Sequence, residues 1–365
     1  MADKIRVGIV GATVTTGGSG WGANAHVPAI DILPDYELKA VCTTREETAQ
    51  ASKEKFGADL AFTDINEMVA HPDVDLIAVV VRVPGHYDLV MAGLKANKAV
   101  FCEWPLGANL KEAQEMNDLA RQRNLNTIVG LQARSDPALM YAKDLVAQGY
   151  IGQVLAANMT VVTGAVVERG EGRIWQGVRS NGANTMTIAG GHGIDALCYV
   201  LGEFSEVSAR VNTLITQWRH AETGEIMKVD SPDSVSVAGA LQNGAEVSYQ
   251  VVAVPYNPSG SRFEIYGREG TLVVTGGSSN IGPNTLHGSK GKDPLAEMPP
   301  PDKYNLAPEG TPAGPARNVT QAYVRYADSL QKGEPTAPDF SDAVTRHRLL
   351  DAIERSSDEG RAIKL

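Results

Sequence analysis

The chain has 365 residues, 43% hydrophobic and 21% charged, an ordinary globular composition with enough length for two cores. Its formal net charge of −10 and its lack of any basic run argue against a nucleic-acid surface. No apolar span approaches membrane-helix length, the first ten residues lack a signal-peptide layout, and three scattered cysteines suggest neither a disulfide framework nor a metal site, so the expected setting is cytoplasmic.

From the N-terminus, Arg6–Val10 reads as a buried strand. A glycine-rich turn follows, and a short helix near His26–Ile32 closes the unit. Within the turn, Gly18-Ser19-Gly20-Trp21-Gly22-Ala23 fits G-x-G-x-x-A, the spacing that lets backbone approach a pyrophosphate at a helix N-terminus. Gly11, Gly18, Gly20 and Trp21 are the dinucleotide candidates here. The link is longer than the shortest dinucleotide loops, which leaves the glycine register open; the alternative is a glycine loop with no ligand.

Strands at Glu37–Cys42, Leu76–Val81, Ala99–Cys102 and Thr127–Leu131 alternate with helices near Arg45–Phe56, Ile65–Ala70, Tyr87–Ala96 and Leu110–Gln122. The strand runs are almost continuously apolar, as in a parallel sheet covered on both faces. The second strand ends Val41-Cys42-Thr43-Thr44-Arg45, with no Asp or Glu for ribose hydroxyls. Thr43, Thr44 and Arg45 suit a 2′-phosphate instead, which favours NADP slightly over NAD. The alternative is that Arg45 is a solvated helix-start residue.

Beyond residue 131 the pattern changes. Pro137–Gln148 reads as a connecting helix. Alternating runs then follow at Val154–Thr163, Val207–Thr216, Val235–Leu241, Glu246–Val254, Arg262–Tyr266 and Thr271–Val274, interrupted by a helix at Ile188–Leu201. They predict one open, mainly antiparallel sheet in an α+β domain. Asn280–Pro315, rich in Pro and Gly, reads as an extended surface loop, and helices near Ala316–Lys332 and Asp342–Ser357 end the chain. The expected domains are 1–131, a dinucleotide-binding Rossmann unit, and 132–365, an α+β unit for substrate and oligomer contacts.

Several motifs together resemble the glucose–fructose oxidoreductase / inositol dehydrogenase (GFO/IDH/MocA) family. Ala99-Val-Phe-Cys-Glu103-Trp104-Pro105-Leu106 is similar to its "CEKPL" segment. His26-Val-Pro-Ala, Val83-Pro-Gly-His86-Tyr87, Gln132-Ala-Arg134 and Phe263-Glu-Ile-Tyr-Gly267 fall in the family's order. Ala189-Gly190-Gly191-His192-Gly193-Ile194-Asp195 stands where the family has D-x-G-x-H-x-x-D. Two departures matter: Trp104 replaces the family's acid/base lysine, and Ile188 replaces its aspartate. The glycine loop, Glu103-Trp104, Ser135-Asp-Pro and His347-Arg-Leu-Leu are similar to the branch of the yeast galactose-regulon repressor, which binds a dinucleotide but acts by protein contact.

The resemblance implies hydride transfer between NAD(P) and a sugar, glycoside or polyol-like alcohol. Two alternatives stand beside it: a catalytically inactive dinucleotide sensor, and a redox-neutral lyase or glycosidase that uses its cofactor transiently. His192 is the candidate acid/base, because imidazole titrates near neutral pH, and Asp195, one helical turn on, is the candidate that orients it. Trp104, Arg134, Trp175, Arg179, Asn184 and Tyr256 are candidates for the substrate pocket. Val81, His86, Glu103, Trp104 and Gln132 join the cofactor candidates. No metal is implied. The expected partners are a carbohydrate-like small molecule and further copies of the chain, as a homodimer or homotetramer, with no nucleic acid or membrane.

Overall fold

The computed structural model describes residues 4–14, 20–164 and 167–365. They divide into two compact units: 1–130 with 307–345, and 131–306 with 346–365. The sequence reading assigned everything after residue 131 to the second domain, whereas residues 307–345 return to the first. Among the described residues, no helix is long and apolar enough to cross a membrane.

The first unit is built on strands β1 (Ile5–Val10), β2 (Tyr36–Cys42), β3 (Leu60–Phe62), β4 (Leu76–Val79), β5 (Ala99–Glu103) and β6 (Thr127–Gly130). They form one sheet in the order β3-β2-β1-β4-β5-β6, and every pairing is parallel. Ile9, Leu76, Ile77, Val79 and Phe101 are fully buried, as a sheet covered on both faces requires. Helices α1 (Val27–Ile32), α2 (Glu46–Phe56), α3 (Ile65–Ala70), α4 (His86–Lys95) and α5 (Leu110–Gln122) connect the strands. Side chains fix two of their starts: Asp64 accepts from the Asn66 N–H, and Asn109 from the Glu112 N–H. Strand β3 escaped the sequence reading because three residues carry too little pattern.

The returning segment completes this unit. Helix Pro315–Lys332 adds Val319, Tyr323, Tyr326 and Ala327 to the core shared with α1 and β1. Past it, Pro338 accepts from the Val129 N–H and Thr336 donates to the Thr127 carbonyl, so the open edge of β6 is covered.

In the second unit, helix α6 (Pro137–Ala147) is capped by Asp136, which accepts from the Ala138 and Leu139 N–H groups. Nine strands form its main sheet. They include β7 (Val154–Thr163), β9 (Phe204–Asn212), β12 (Ser234–Leu241), β13 (Glu246–Ala253), β14 (Gly260–Gly267) and β15 (Gly270–Gly276). The sheet is antiparallel except where β13 runs parallel to β7. A smaller sheet joins β8 (Glu168–Arg169), β10 (Gln217–His220) and β11 (Ile226–Lys228). Its strands are too short and polar to show a period in the sequence. Helix α7 (Gly191–Leu201) is buried along almost its whole length.

One expectation is corrected in this unit. Asn280–Pro315 is not simply a loop: β16 (Thr285–Lys290) pairs with β15, and β17 (Ala296–Glu297) extends the sheet further. The outward sheet face is largely polar. Its positions include exposed Asn158, Thr160, Ser236, Ser248 and Gln250, while Met159, Val237, Tyr249 and Val251 point to the buried side.

The last helix, Phe340–Glu359, carries His347 in its second-unit portion. Burial lowers this imidazole from 6.5 to about 3. As pH falls through the interval between those values, the unfolded chain takes up a proton that the folded chain refuses, so stability present above pH 6.5 is progressively lost. Urea midpoints measured between pH 7 and 4.5 should fall with a slope approaching about 1.4 kcal/mol per pH unit from this group alone, and His347→Gln should flatten that slope.

Candidate functional site

In the first unit, the turn after β1 is built around Gly11. Its φ is +103°, and a Cβ there would stand 2.0 Å from the Val80 carbonyl oxygen, so no other residue fits this passage. Gly20 also has positive φ, and its carbonyl accepts from the Asn24 N–H. Trp21 precedes a π turn over Gly22–His26 that runs straight into α1. Gly18 lies outside the described residues.

At the end of β2, the Thr43 hydroxyl bonds that of Thr48 at 2.7 Å and donates to the Arg45 carbonyl at 3.1 Å, which closes the start of α2. Thr44 and the Arg45 side chain are exposed. The first acidic residues, Glu46 and Glu47, are already in the helix.

Beyond β4, His86 is buried, with Nδ1 2.9 Å from the Pro105 carbonyl oxygen and Nε2 3.1 Å from that of Val81. Burial holds its pKa below the usual imidazole value, and a neutral ring donates its one N–H to one of these two carbonyls. Trp104, directly after β5, is buried.

Glu103 is held by a chain of groups that the sequence reading missed. His26, with no exposed surface, places Nε2 2.7 Å from Glu103 Oε1 and Nδ1 2.9 Å from the Tyr323 hydroxyl. Burial, and then the Glu103 charge, raise the Tyr323 hydroxyl well above its ordinary range, so it stays protonated. In the tautomer whose Nε2–H donates to the carboxylate, Nδ1 is the acceptor for this hydroxyl. His26 lies in the His26-Val-Pro-Ala motif; Tyr323 has no local signal and lies 297 residues away.

In the second unit, His192 and Asp195 are one turn apart on α7, both buried. A π turn over Met186–Gly190 leads into this helix. The Tyr249 hydroxyl donates to the Gly190 carbonyl at 2.8 Å, and a Cβ on Gly193 would stand 2.8 Å from that hydroxyl and 2.7 Å from Val161. The glycines thus allow the helix to lie directly on the sheet.

Asp195 does not orient His192. Arg134 donates to it through Nε (3.0 Å) and Nη2 (2.8 Å), and Arg346 through Nε (3.2 Å). Burial alone would raise this carboxyl, but the charges of Arg134 and Arg346 outweigh it and hold the group below the ordinary carboxylate range. Arg346, fully buried, also donates to Glu203 at 2.8 Å and to the Cys198 sulfur at 3.0 Å. Burial pushes the Cys198 thiol up to about 12, so it remains a neutral acceptor. Arg134 is consequently an anchor rather than a free pocket residue.

The remaining pocket candidates divide. Asn184 accepts from the Met186 and Thr187 N–H groups, capping the π turn. Arg179 pairs with Glu354 at 2.9 Å, and the Trp175 indole donates to the Gly172 carbonyl. Tyr256 is 78% exposed, and Gln132 is buried in the turn Gln132–Ser135. Among the described residues, no group of three or more His, Cys, Asp or Glu could hold a metal ion.

Against known proteins, residues 5–131 match the model described as the oxidoreductase family with an NAD-binding Rossmann fold, GFO/IDH/MocA, and residues 137–276 match the C-terminal domain of Gal80p. The chain joins a GFO/IDH/MocA-family Rossmann domain to a Gal80p-type C-terminal domain. It is 28% identical to dehydrogenase aclE of Aspergillus oryzae, over 99% of this chain and 98% of that protein. It is 27% identical to the myo-inositol 2-dehydrogenase of Thermotoga maritima, with the same coverage. A super-repressor mutant of Gal80p from Saccharomyces cerevisiae superimposes with a TM-score of 0.85 at 25% identity, covering 99% of this chain and 97% of that one. The proteins that this chain is similar to over its whole length thus include both dehydrogenases and a regulator.

Two substitutions test these networks. Asp195→Asn leaves two buried guanidiniums undercompensated and should cost about 3–5 kcal/mol in urea unfolding. Tyr323→Phe leaves His26 Nδ1 without its donor and should cost about 1–3 kcal/mol by the same measurement.

Proposed function

We propose that the protein is an NAD(P)-dependent oxidoreductase acting on the CH–OH group of a sugar, glycoside or polyol-like alcohol. The observation that carries this reading is His192: a buried imidazole, fixed on a helix that Asp195 anchors to two arginines, retained where the family places its histidine. The full-length similarity to two dehydrogenases supports it.

The first unit's residues suit a dinucleotide. Gly11 gives the tight passage after β1, and Glu103 is held as an oriented acceptor for a ribose hydroxyl or the amide. Exposed Thr44 and Arg45, with no acid at the strand end, favour a 2′-phosphate and hence NADP. When bound, the nicotinamide supplies hydride-transfer chemistry.

The proton of the alcohol needs a separate carrier. Trp104 cannot exchange one, His86 is braced between carbonyls, and the Asp195 carboxylate is occupied by arginines. His192 takes that role: it accepts the hydroxyl proton as the alcohol is oxidised, and returns it in the reverse direction. Trp104 contributes an apolar aromatic surface. A homo-oligomer formed through the outward face of the nine-stranded sheet would be held by hydrogen bonds of its Ser, Thr, Asn and Gln side chains.

A second reading, a dinucleotide-binding regulator without turnover, is favoured by Trp104 in place of the lysine and by the Gal80p-type second domain. One series of measurements separates the two. NADPH and NADH are titrated by tryptophan fluorescence, and a panel of alditols, sugars and glycosides is then screened for hydride transfer. Tighter NADPH binding and measurable turnover are expected. His192→Ala should lower kcat/KM by roughly 10²–10⁴-fold with dinucleotide affinity unchanged. Tight dinucleotide binding without turnover across the panel overturns the enzyme reading in favour of the regulator.

A further inference from the structure

The small sheet of the second unit holds an arginine, Arg169, that has no carboxylate partner among the described residues. Arg169, on β8, stacks its guanidinium 5.0 Å over the ring of Trp218 on β10. Its Nε is buried and meets no acceptor, and neither does the buried indole Nε1 of Trp218. One stacked pair thus carries two orphan donors, and a buried donor without an acceptor forfeits its hydration for nothing.

A second cation adds to this imbalance. Arg173, four residues on and exposed, bears on Arg169 through its like charge. Burial first, and then the Arg173 charge, lower Arg169 to about 10, so both are still cations at neutral pH.

The nearby acids are committed elsewhere. Glu168 pairs with Arg219 at 3.5 Å, and Glu171 and Glu222 each stand 3.1 Å from a nitrogen of His220. The platform beneath is rigid: a Cβ on Gly177 would stand 3.2 Å from the Trp218 ring and 2.4 Å from Met227. Arg169 on the small sheet and Arg173 in the turn after β8 therefore carry two guanidiniums that no carboxylate among the described residues pairs with.

We propose that Arg169, Arg173 and Trp218 form a binding site for an oxyanion, a carboxylate or a phosphate. A planar guanidinium presents paired N–H donors that match the two oxygens of such a group. The anion would relieve the repulsion between the two arginines. Its source is either an acidic group on the molecule being oxidised or a free anion that acts as an effector.

Calorimetric titration of the full chain with inorganic phosphate and with gluconate, at constant ionic strength set by chloride, tests this directly and without reliance on turnover. Saturable binding of at least one of them is expected. Arg173→Gln, at an exposed position, should weaken it roughly tenfold or more, and Arg169→Met should abolish it, with Arg169→Lys restoring part. Thermal melts verify that each variant is folded. Competition by gluconate-like acids for the alcohol site assigns the anion to the substrate; binding that leaves substrate KM unchanged assigns it to an effector, and both support the site. No saturable binding, or binding unchanged in both Arg173→Gln and Arg169→Met, overturns it. Because binding is read by heat, a failure of the oxidoreductase reading leaves this result standing, and turnover of neutral alcohols without anion binding does the reverse.

Discussion

A single buried carboxylate organises the second unit. Asp195 receives three N–H donors from Arg134 and Arg346, which ties helix α7 to the turn Gln132–Ser135 and to the final helix. Removing any partner leaves a bare charge in a medium that solvates it poorly, so the arrangement tolerates little displacement. His192, three residues earlier, inherits that fixity. The first unit reaches the same end with less charge. There His26 stands between the Tyr323 hydroxyl and Glu103, so one carboxylate is oriented by a chain of hydrogen bonds from a distant helix.

Much of this was legible in the sequence. Continuous apolar runs announced the parallel sheet, because strands buried on both faces have no polar side to alternate with. Ile65–Ala70, Leu110–Gln122 and Val154–Thr163 match their expected bounds end to end, and Asp64 and Asn109 mark two of the starts chemically. Strand β16 was hidden because Pro283, Gly288 and Gly291 read as loop chemistry, while its ladder needs only backbone groups. The partners of His26 and Asp195 were hidden for another reason. Tyr323 and Arg346 lie 297 and 151 residues away, and neither has any local feature that marks its role.

The fold is shared by dehydrogenases and by a regulator, so it does not select between them. The selection lies with individual side chains. Trp104 stands where the resemblance implies a lysine and His192 where it implies a histidine, while Arg169 and Arg173 add a demand for negative charge that the described residues leave unmet.

The excursion of the chain has a consequence for its birth. The first unit opens with β1 but is closed by residues 307–345, which supply Tyr323 to its core and the cover for the β6 edge. A ribosome delivers those residues only after residues 131–306 of the second unit. Until then the nascent sheet carries an exposed apolar groove beside α1 and a bare strand edge. The first unit, although its strands come earlier in the chain, is completed only after most strands of the second unit's main sheet have been made, and it cannot be excised as one uninterrupted stretch.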